Sequence, residues 1–161
     1  MTPPYRVGDE LPPLEIPVTR TLIVAGAIAS RDYQDVHHDA ASAREKGSPD
    51  IFMNILTTNG LVGRYITDHF GPTAVLRKVA IRLGAPNYPG DVLRLTGRIT
   101  ELRTADTSSA DTSSDEVVDA VEAIEAIEAV VQVTGGNGIG RHVTGTVAVT
   151  LPEPSAKRTG A

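Results

Sequence analysis

The stretch IFMNILTTNGLVGRYITDHF, residues 51–70, decides the fold of this chain, because it holds the one long helical pattern in the sequence. Apolar side chains such as Val62 and Ile66 recur at helical spacing, and a Gly-Pro pair ends the pattern. Two glycines lie inside it, Gly60 and Gly63, and each costs about 1 kcal/mol relative to alanine. We predict that the close approach of another backbone, from a surrounding sheet, compensates this cost.

After this helix the sequence changes to the pattern of β-strands. Residues 74–85 and 92–102 are rich in Val, Ile, Leu and Thr, so we predict two strands joined by a turn. Residues 130–134 and 142–151 predict a second pair, with a hairpin turn at Asn-Gly 137–138. The glycines around that turn do not have the spacing of a phosphate-binding loop.

Three segments precede the long helix. Residues 1–18 hold five of the eleven prolines and should lie extended. The apolar run at 21–29 predicts a buried strand leading into a short helical turn, and residues 39–46 predict a short helix that Gly47 ends. One long helix followed by antiparallel strands predicts an α+β protein of the hotdog fold, in which a curved antiparallel sheet wraps the long central helix.

The chain has 161 residues and 40% hydrophobic content, enough for one domain with a real core. We therefore predict a single domain over residues 1–161. The sequence ADTSS at 105–109 repeats unchanged at 110–114, and such a polar tandem cannot bury a core. We expect residues 105–129 to be a low-complexity insertion and residues 153–161 a flexible tail.

Charge and composition exclude several classes of function. The formal net charge of -5 provides no basic surface for nucleic acid or for an anionic membrane. The absence of cysteine excludes disulfides, thiolate nucleophiles and cysteine-ligated zinc. No basic stretch followed by an apolar one opens the chain, and the longest apolar run is far below the ~18 residues of a membrane span. We expect a cytoplasmic protein.

An acid and an imidazole five positions apart, Asp32 and His37, lie in a polar stretch directly after the apolar run. Together they can orient one water and pass protons, since histidine titrates near pH ~6.5 and burial can raise the pKa of a carboxyl group toward that value. Taken alone, the spacing also fits two solvated surface residues. His38 and Asp39 extend the cluster, but adjacent side chains diverge and no distant third ligand is evident, so we predict no metal site.

The same stretch, RDYQDVH at residues 31–37, resembles the motif of the MaoC-like, or R-specific, enoyl-CoA hydratases. That motif is Gly-Asp, any residue, Asn-Pro, an aliphatic residue and His; here the acid and the imidazole are kept while Gly, Asn and Pro are replaced. Residues 7–9 (VGD) and 88–91 (YPGD) match as well. Residues 31–39, together with 50–56 and 63–68, closely resemble the small subunits of the heteromeric steroid enoyl-CoA hydratases of bacterial cholesterol side-chain degradation.

This resemblance implies a hydro-lyase with Asp32 and His37 as its catalytic residues. The substrate would be a steroid side-chain enoyl-CoA similar to 3-oxo-pregna-4,17-diene-20-carboxyl-CoA, and the product a 17-hydroxy steroid acyl-CoA. No separate cofactor is implied, because the coenzyme A thioester is itself the substrate. The implied partner is a larger MaoC-like subunit with an additional domain that docks a thiolase-like aldolase.

The resemblance also implies a backbone N–H at the start of the long helix as donor to the thioester oxygen, which falls on Asn54. A backbone donor survives any side-chain change, and the helix dipole supports it. Residues 48–50 (SPD) fit an earlier helix start, whereas the family pattern implies a start near Asn54, which we favour. Arg77, Lys78 and Arg82 are candidates for the coenzyme A phosphates, or else solvated residues at a strand edge.

Two other functions stay open at this stage. A hotdog acyl-CoA thioesterase would use an acid on the long helix, and Asp68, the only carboxylate well inside it, is far from the N-terminal end where chemistry is expected. A noncatalytic partner subunit of a MaoC-like heteromer is the other alternative. The presence of both Asp32 and His37 argues against it.

Overall fold

A computed structural model describes residues 5–105 and 126–152 of the chain. In chain order its elements are β1 (Glu10–Pro17), α1 (Arg20–Ala29), a 3₁₀ turn (Asp35–His37), α2 (Ala40–Glu45), α3 (Ile55–Phe70), β2 (Val75–Leu83), β3 (Val92–Ala105), β4 (Ala126–Gly136) and β5 (Arg141–Pro152).

The predicted low-complexity insertion and the predicted tail lie largely outside the described residues. The tail, 153–161, lies wholly outside them. Of the insertion, Ala105 and residues 126–129 are described, and they belong to the strands β3 and β4. The two strands therefore extend further than the sequence predicted, and residues 106–125 connect them.

The five strands form one antiparallel sheet in the order β1-β3-β4-β5-β2. The helix α3 contacts both edge strands, β1 and β2, as well as β5. A sheet whose two edges reach the same helix must curve around it, as predicted. The strands predicted at 74–85 and 92–102 both form, but they do not pair with each other: β2 pairs with β5, and β3 lies between β1 and β4.

The core lies between α3 and the concave face of the sheet. Alternate residues of β4 point inward and are buried, among them Val131 and Val133, while Val62 and Ile66 of α3 are buried opposite the sheet. Each fully buried side chain of this size contributes roughly 1.5–3 kcal/mol to folding.

The predicted close backbone approach at the glycines of α3 is wrong. A Cβ at Gly60 would meet nothing within 4 Å, and one at Gly63 would lie 3.3 Å from Cδ1 of Leu76, a side-chain atom. The exposed helix surface at Gly60 needs no small residue. The glycine that a helix crossing does require is Gly26 in α1, where an added Cβ would lie 2.2 Å from Oγ1 of Thr57 on α3.

The apolar run at 21–29 forms the helix α1, so the predicted strand is wrong. The Thr19 hydroxyl accepts a hydrogen bond from the Leu22 N–H at 3.0 Å and caps the helix. Ile23 and Ala27, one helical turn apart, are the buried residues of α1. A short apolar run has no polar positions to reveal its period, which is why the sequence fitted both structures. No helix within the described ranges has the length and apolarity that crossing a membrane requires.

The long helix α3 begins at Ile55, with Asn54 as its N-cap. The Asn54 Oδ1 accepts a hydrogen bond from the Thr57 N–H at 2.9 Å. This confirms the later of the two predicted helix starts. Residues 48–50 lie outside the helix, and Asp50 is instead held by a two-bond ion pair with Arg20 (3.1 and 2.6 Å).

Candidate active site

Backbone hydrogen bonds at the end of α1 fix the position of Asp32. The Arg31 N–H donates to the Ile28 carbonyl at 3.0 Å and the Asp32 N–H donates to the Ala27 carbonyl at 2.9 Å, which is the hydrogen-bond pattern of a Schellman motif. In that motif the residue after the C-cap is left-handed, and Arg31 has φ +57°. Glycine adopts this conformation most easily, which gives a physical reason for the Gly of the family motif at this position.

The structure brings the predicted pair together. The Nε2 of His37 lies 3.3 Å from Oδ2 of Asp32, and the two side chains are 6% and 20% exposed. The Nδ1 of His37 lies 2.7 Å from the carbonyl oxygen of Phe52. Because a carbonyl oxygen only accepts hydrogen bonds, Nδ1 must carry a hydrogen. In the neutral ring, Nε2 therefore has no hydrogen, and its lone pair faces Asp32.

The side chain of Asn54, which is 3% exposed, joins this pair to α3. Its Nδ2 donates to Oδ2 of Asp32 at 3.0 Å and to the hydroxyl of Ser30 at 2.9 Å. Its Oδ1 is the N-cap acceptor of α3. The sequence assigned a role to the Asn54 backbone alone, so this side-chain contact was missed.

Asp32 is held in its ionised form. The hydrogen bond from Asn54 lowers the pKa of its carboxyl group below the usual value; the Gln34 N–H and the positive charge of a protonated His37 add to this, while partial burial opposes it. Burial can raise the pKa of a carboxyl group toward that of histidine, but here the hydrogen bond from Asn54 outweighs it. At neutral pH the site contains a carboxylate beside an imidazole.

The Asn54 N–H is placed as the resemblance implied. It stands at the N-terminus of α3, and no acceptor within residues 5–105 or 126–152 takes a hydrogen bond from it. An unused N–H at a helix start favours a negative or partly negative oxygen, because the helix dipole adds to the hydrogen bond. Its role toward a thioester oxygen stays a prediction.

Within the described ranges, the three residues predicted to contact coenzyme A make no hydrogen bond to Asp32 or His37. Arg77, Lys78 and Arg82 are exposed residues of the edge strand β2. Arg77 Nε donates to the Thr150 hydroxyl at 2.8 Å. At about 3.3 Å per residue, Arg77 and Arg82 are separated by roughly 17 Å along the strand, so one phosphate cannot contact both. Their role stays a prediction.

The competing site residues have local partners. The Asp39 carboxylate caps α2 by accepting from the backbone N–H groups of the first turn, and His38 Nε2 lies 3.3 Å from the Tyr33 carbonyl. Within the part of the chain that the structure describes, no three or more His, Asp or Glu residues are grouped as metal ligands. The carboxylate of Asp68 is exposed and pairs with Arg64 one helical turn earlier, at 3.1 Å.

A buried histidine that no sequence pattern indicated supports the start of α3. His142, at the start of β5, is 1% exposed; its Nδ1 lies 2.6 Å from the Ala85 carbonyl and its Nε2 lies 2.9 Å from the Thr58 hydroxyl. Burial lowers the pKa of His142, partly opposed by the Ala85 carbonyl and by the charge of Asp91. The neutral ring therefore donates to Ala85 and accepts from Thr58, which fixes the first turn of α3 to the sheet.

Similarity to known proteins identifies the family of this chain. The family described as the MaoC like domain matches residues 6–121. The chain belongs to the MaoC-like domain family. A relative in Mycobacterium tuberculosis, named the 3-oxo-4,17-pregnadiene-20-carboxyl-CoA hydratase beta subunit, is 39% identical over 145 residues, which cover 90% of this chain and 95% of that protein. The resemblance inferred from residues 31–37 is thereby confirmed.

Solved structures of MaoC-like proteins confirm the hotdog fold. A chain in the crystal structure of the ChsH1–ChsH2 complex from Mycobacterium tuberculosis superposes with a TM-score of 0.73 at 39% identity, covering 94% of this chain and 99% of that chain. The (R)-hydratase from A. caviae superposes with a TM-score of 0.72, covering 92% and 98%. At 18% identity this second match shows the fold alone.

Proposed function

We propose that this MaoC-like chain is the catalytic subunit of a steroid enoyl-CoA hydratase. Its substrate is 3-oxo-4,17-pregnadiene-20-carboxyl-CoA or a close analogue, and its product is the 17-hydroxy acyl-CoA. The observation that carries the proposal is the Asp32–His37 pair, 3.3 Å apart, in a chain 39% identical to a hydratase subunit of that named specificity. No further cofactor is needed, because hydration changes no oxidation state overall and uses only water and the thioester.

The pair provides two acceptors for one water. The ionised Asp32 carboxylate accepts one hydrogen of the water, and the lone pair on His37 Nε2 accepts the other, which leaves an oxygen lone pair free to attack the β-carbon. As the new C–O bond forms, the π electrons of the double bond move toward the thioester oxygen. One proton of the water passes to the pair and is shared between Nε2 and the carboxylate. The same proton is then transferred to the α-carbon.

The negative charge that develops on the thioester oxygen needs a positioned donor. The unused N–H of Asn54 at the start of α3 is the donor that we propose for it. One well-placed donor of this kind contributes roughly 3–4 kcal/mol to transition-state stabilisation. Arg77, Lys78 and Arg82 remain our candidates for the coenzyme A phosphates, each as a separate contact.

We also propose that the chain works in a heteromer with a larger MaoC-like subunit, whose additional domain docks a thiolase-like aldolase, in the cytoplasm. The similarity to a chain of the ChsH1–ChsH2 complex supports a heteromeric partner. The edge strand β2 supports it as well, since Val75 and Leu76 are exposed there and β2 has a sheet neighbour on one side among the described strands.

The test is hydration of the unsaturated steroid-CoA by the co-expressed complex, followed by mass spectrometry of the product. Asp32→Asn and His37→Ala should each reduce kcat about 10²–10⁴-fold. Two matched controls should keep the wild-type rate: His38→Ala, the neighbouring exposed imidazole, and Asp68→Asn, the exposed carboxylate of α3.

Full activity in both Asp32→Asn and His37→Ala would show that this mechanism is wrong. Release of free coenzyme A without hydration would instead identify a thioesterase. Full hydration by the larger subunit alone would identify this chain as a noncatalytic partner.

A further inference from the structure

We propose that the Asn54 side chain is a positioning residue of the hydratase site. Its amide holds the Asp32 carboxylate and the N-terminus of α3 in a fixed relation, so that the held water and the N–H donor stay at the spacing that one substrate requires. The inference rests on the proposed function, because it assigns those two roles to Asp32 and to the start of α3.

The orientation of this amide follows from its partners. The two Nδ2 hydrogens go to Asp32 and Ser30, and Oδ1 accepts from the Thr57 N–H. Inverting the amide would place an NH₂ group against the Thr57 N–H and an oxygen against the Asp32 carboxylate, two repulsive contacts at once. A buried asparagine with each donor satisfied and one acceptor in use is therefore fixed in a single orientation.

The Ser30 contact extends the connection to α1. The Ser30 hydroxyl accepts from Asn54 and donates to the Gly26 carbonyl at 2.7 Å, and Gly26 is the point where α1 crosses α3 at Thr57. The amide thus contacts the end of α1, the carboxylate that follows it and the start of α3. A shift of α3 relative to Asp32 would break at least one of these bonds.

Asn54 also supplies the main hydrogen bond to the carboxylate. Around Asp32, α3 contributes the uncharged Asn54 amide, the following loop contributes the Gln34 N–H, and the 3₁₀ turn contributes His37, the one ionisable group in contact with Asp32 in the described ranges. Without the amide, partial burial opposes ionisation with less compensation. The acidic limb of the rate profile should then move to higher pH.

The experiment separates this contact from helix capping. Asn54→Ser keeps an N-cap hydroxyl, one of the preferred caps, but its shorter side chain does not reach Asp32. In the co-expressed complex we expect Asn54→Ser to keep a near wild-type unfolding temperature, to lose about 10–100-fold in kcat, and to move the acidic limb of kcat/KM to higher pH. Asn59→Ser, in the next turn of α3, is the matched control and should change neither rate nor profile.

A second variant covers the case in which Asn54→Ser fails to fold. Asn54→Asp keeps the size and the capping oxygen but places a carboxylate beside Asp32, so the acidic limb should move upward further still. A wild-type rate and pH profile in Asn54→Ser, or in Asn54→Asp if only that variant folds, overturns the inference. In that case a still inactive Asp32→Asn would leave the proposed function standing, whereas full activity in both Asp32→Asn and His37→Ala would overturn both.

Discussion

Replacing Arg31 by glycine should stabilise this protein although it deletes an entire side chain. Arg31 is exposed and has φ +57° at the end of α1. The left-handed conformation costs an L-residue roughly 1–2 kcal/mol, which glycine does not incur. The greater freedom of glycine in the unfolded chain offsets about 0.5–1 kcal/mol of this gain. The expected net stabilisation for Arg31→Gly is therefore up to about 1.5 kcal/mol, with a central value of ~0.8 kcal/mol.

Two further substitutions at Arg31 separate backbone strain from loss of the side chain. Arg31→Asn should give part of the gain, because asparagine tolerates the left-handed region, while Arg31→Ala should give none. The two Schellman hydrogen bonds use backbone atoms, so all three variants retain them. The assay is urea denaturation at fixed protein concentration, comparing midpoints at an unchanged m-value.

The order of stability among the variants decides the result. Glycine above asparagine above alanine supports the conformational explanation. Equal gains for Arg31→Ala and Arg31→Gly would show that removing the charged side chain matters and the backbone conformation does not. A loss of stability in Arg31→Gly would refute the reasoning outright.

Two more predictions concern the folding energetics. Gly60→Ala should stabilise by up to about 1 kcal/mol because its site is open, whereas Gly26→Ala should destabilise by about 1–3 kcal/mol because the new Cβ would overlap Thr57; urea midpoints of both variants check this. His142 is kept neutral by burial, so its folded pKa lies below the unfolded value near 6.5. Its stabilisation is thus complete above about pH 6.5 and is lost as pH falls toward the folded pKa, because the unfolded chain binds the proton first. In His142→Gln this part of the pH dependence of the unfolding free energy should disappear; an unchanged slope would contradict the assignment.

Local patterns predicted most of the elements but not their neighbours in the sheet. The spacing of apolar residues predicted α3, and enrichment in Val, Ile and Thr predicted the strands, because each of these patterns lies within one element. Strands 74–85 and 92–102 are adjacent in sequence, yet each pairs with other strands. Pairing depends on which faces the helix covers, and a local pattern does not contain that information. The prediction of a strand at 21–29 was wrong for a different reason, because this run is too short and too uniformly apolar to show a period.

The site was predictable only where its residues are close in sequence. Asp32 and His37 share one segment and one motif, so their pairing was found. The Asn54 side chain reaches Asp32 across 22 residues, and Thr58 meets His142 across 84. A single Asn at a helix start or a single His at a strand start has many ordinary uses, so only the folded chain reveals these contacts.

Among the described residues, the polar contacts that fix the pair come from one continuous piece of chain, residues 26–54. The Asp32 backbone is bound to Ala27, the His37 ring is bound to the Phe52 carbonyl, and the Asn54 amide joins both ends of the segment. The proposed water-activating unit is therefore one contiguous segment, which protein engineering could transplant onto a related sheet as a single insert. Such a graft would carry its own internal geometry and would need from its host a fitting surface for α1, an N-terminus for the long helix and an acceptor in place of the Asn87 carbonyl, which takes a hydrogen bond from the Met53 N–H at 3.0 Å.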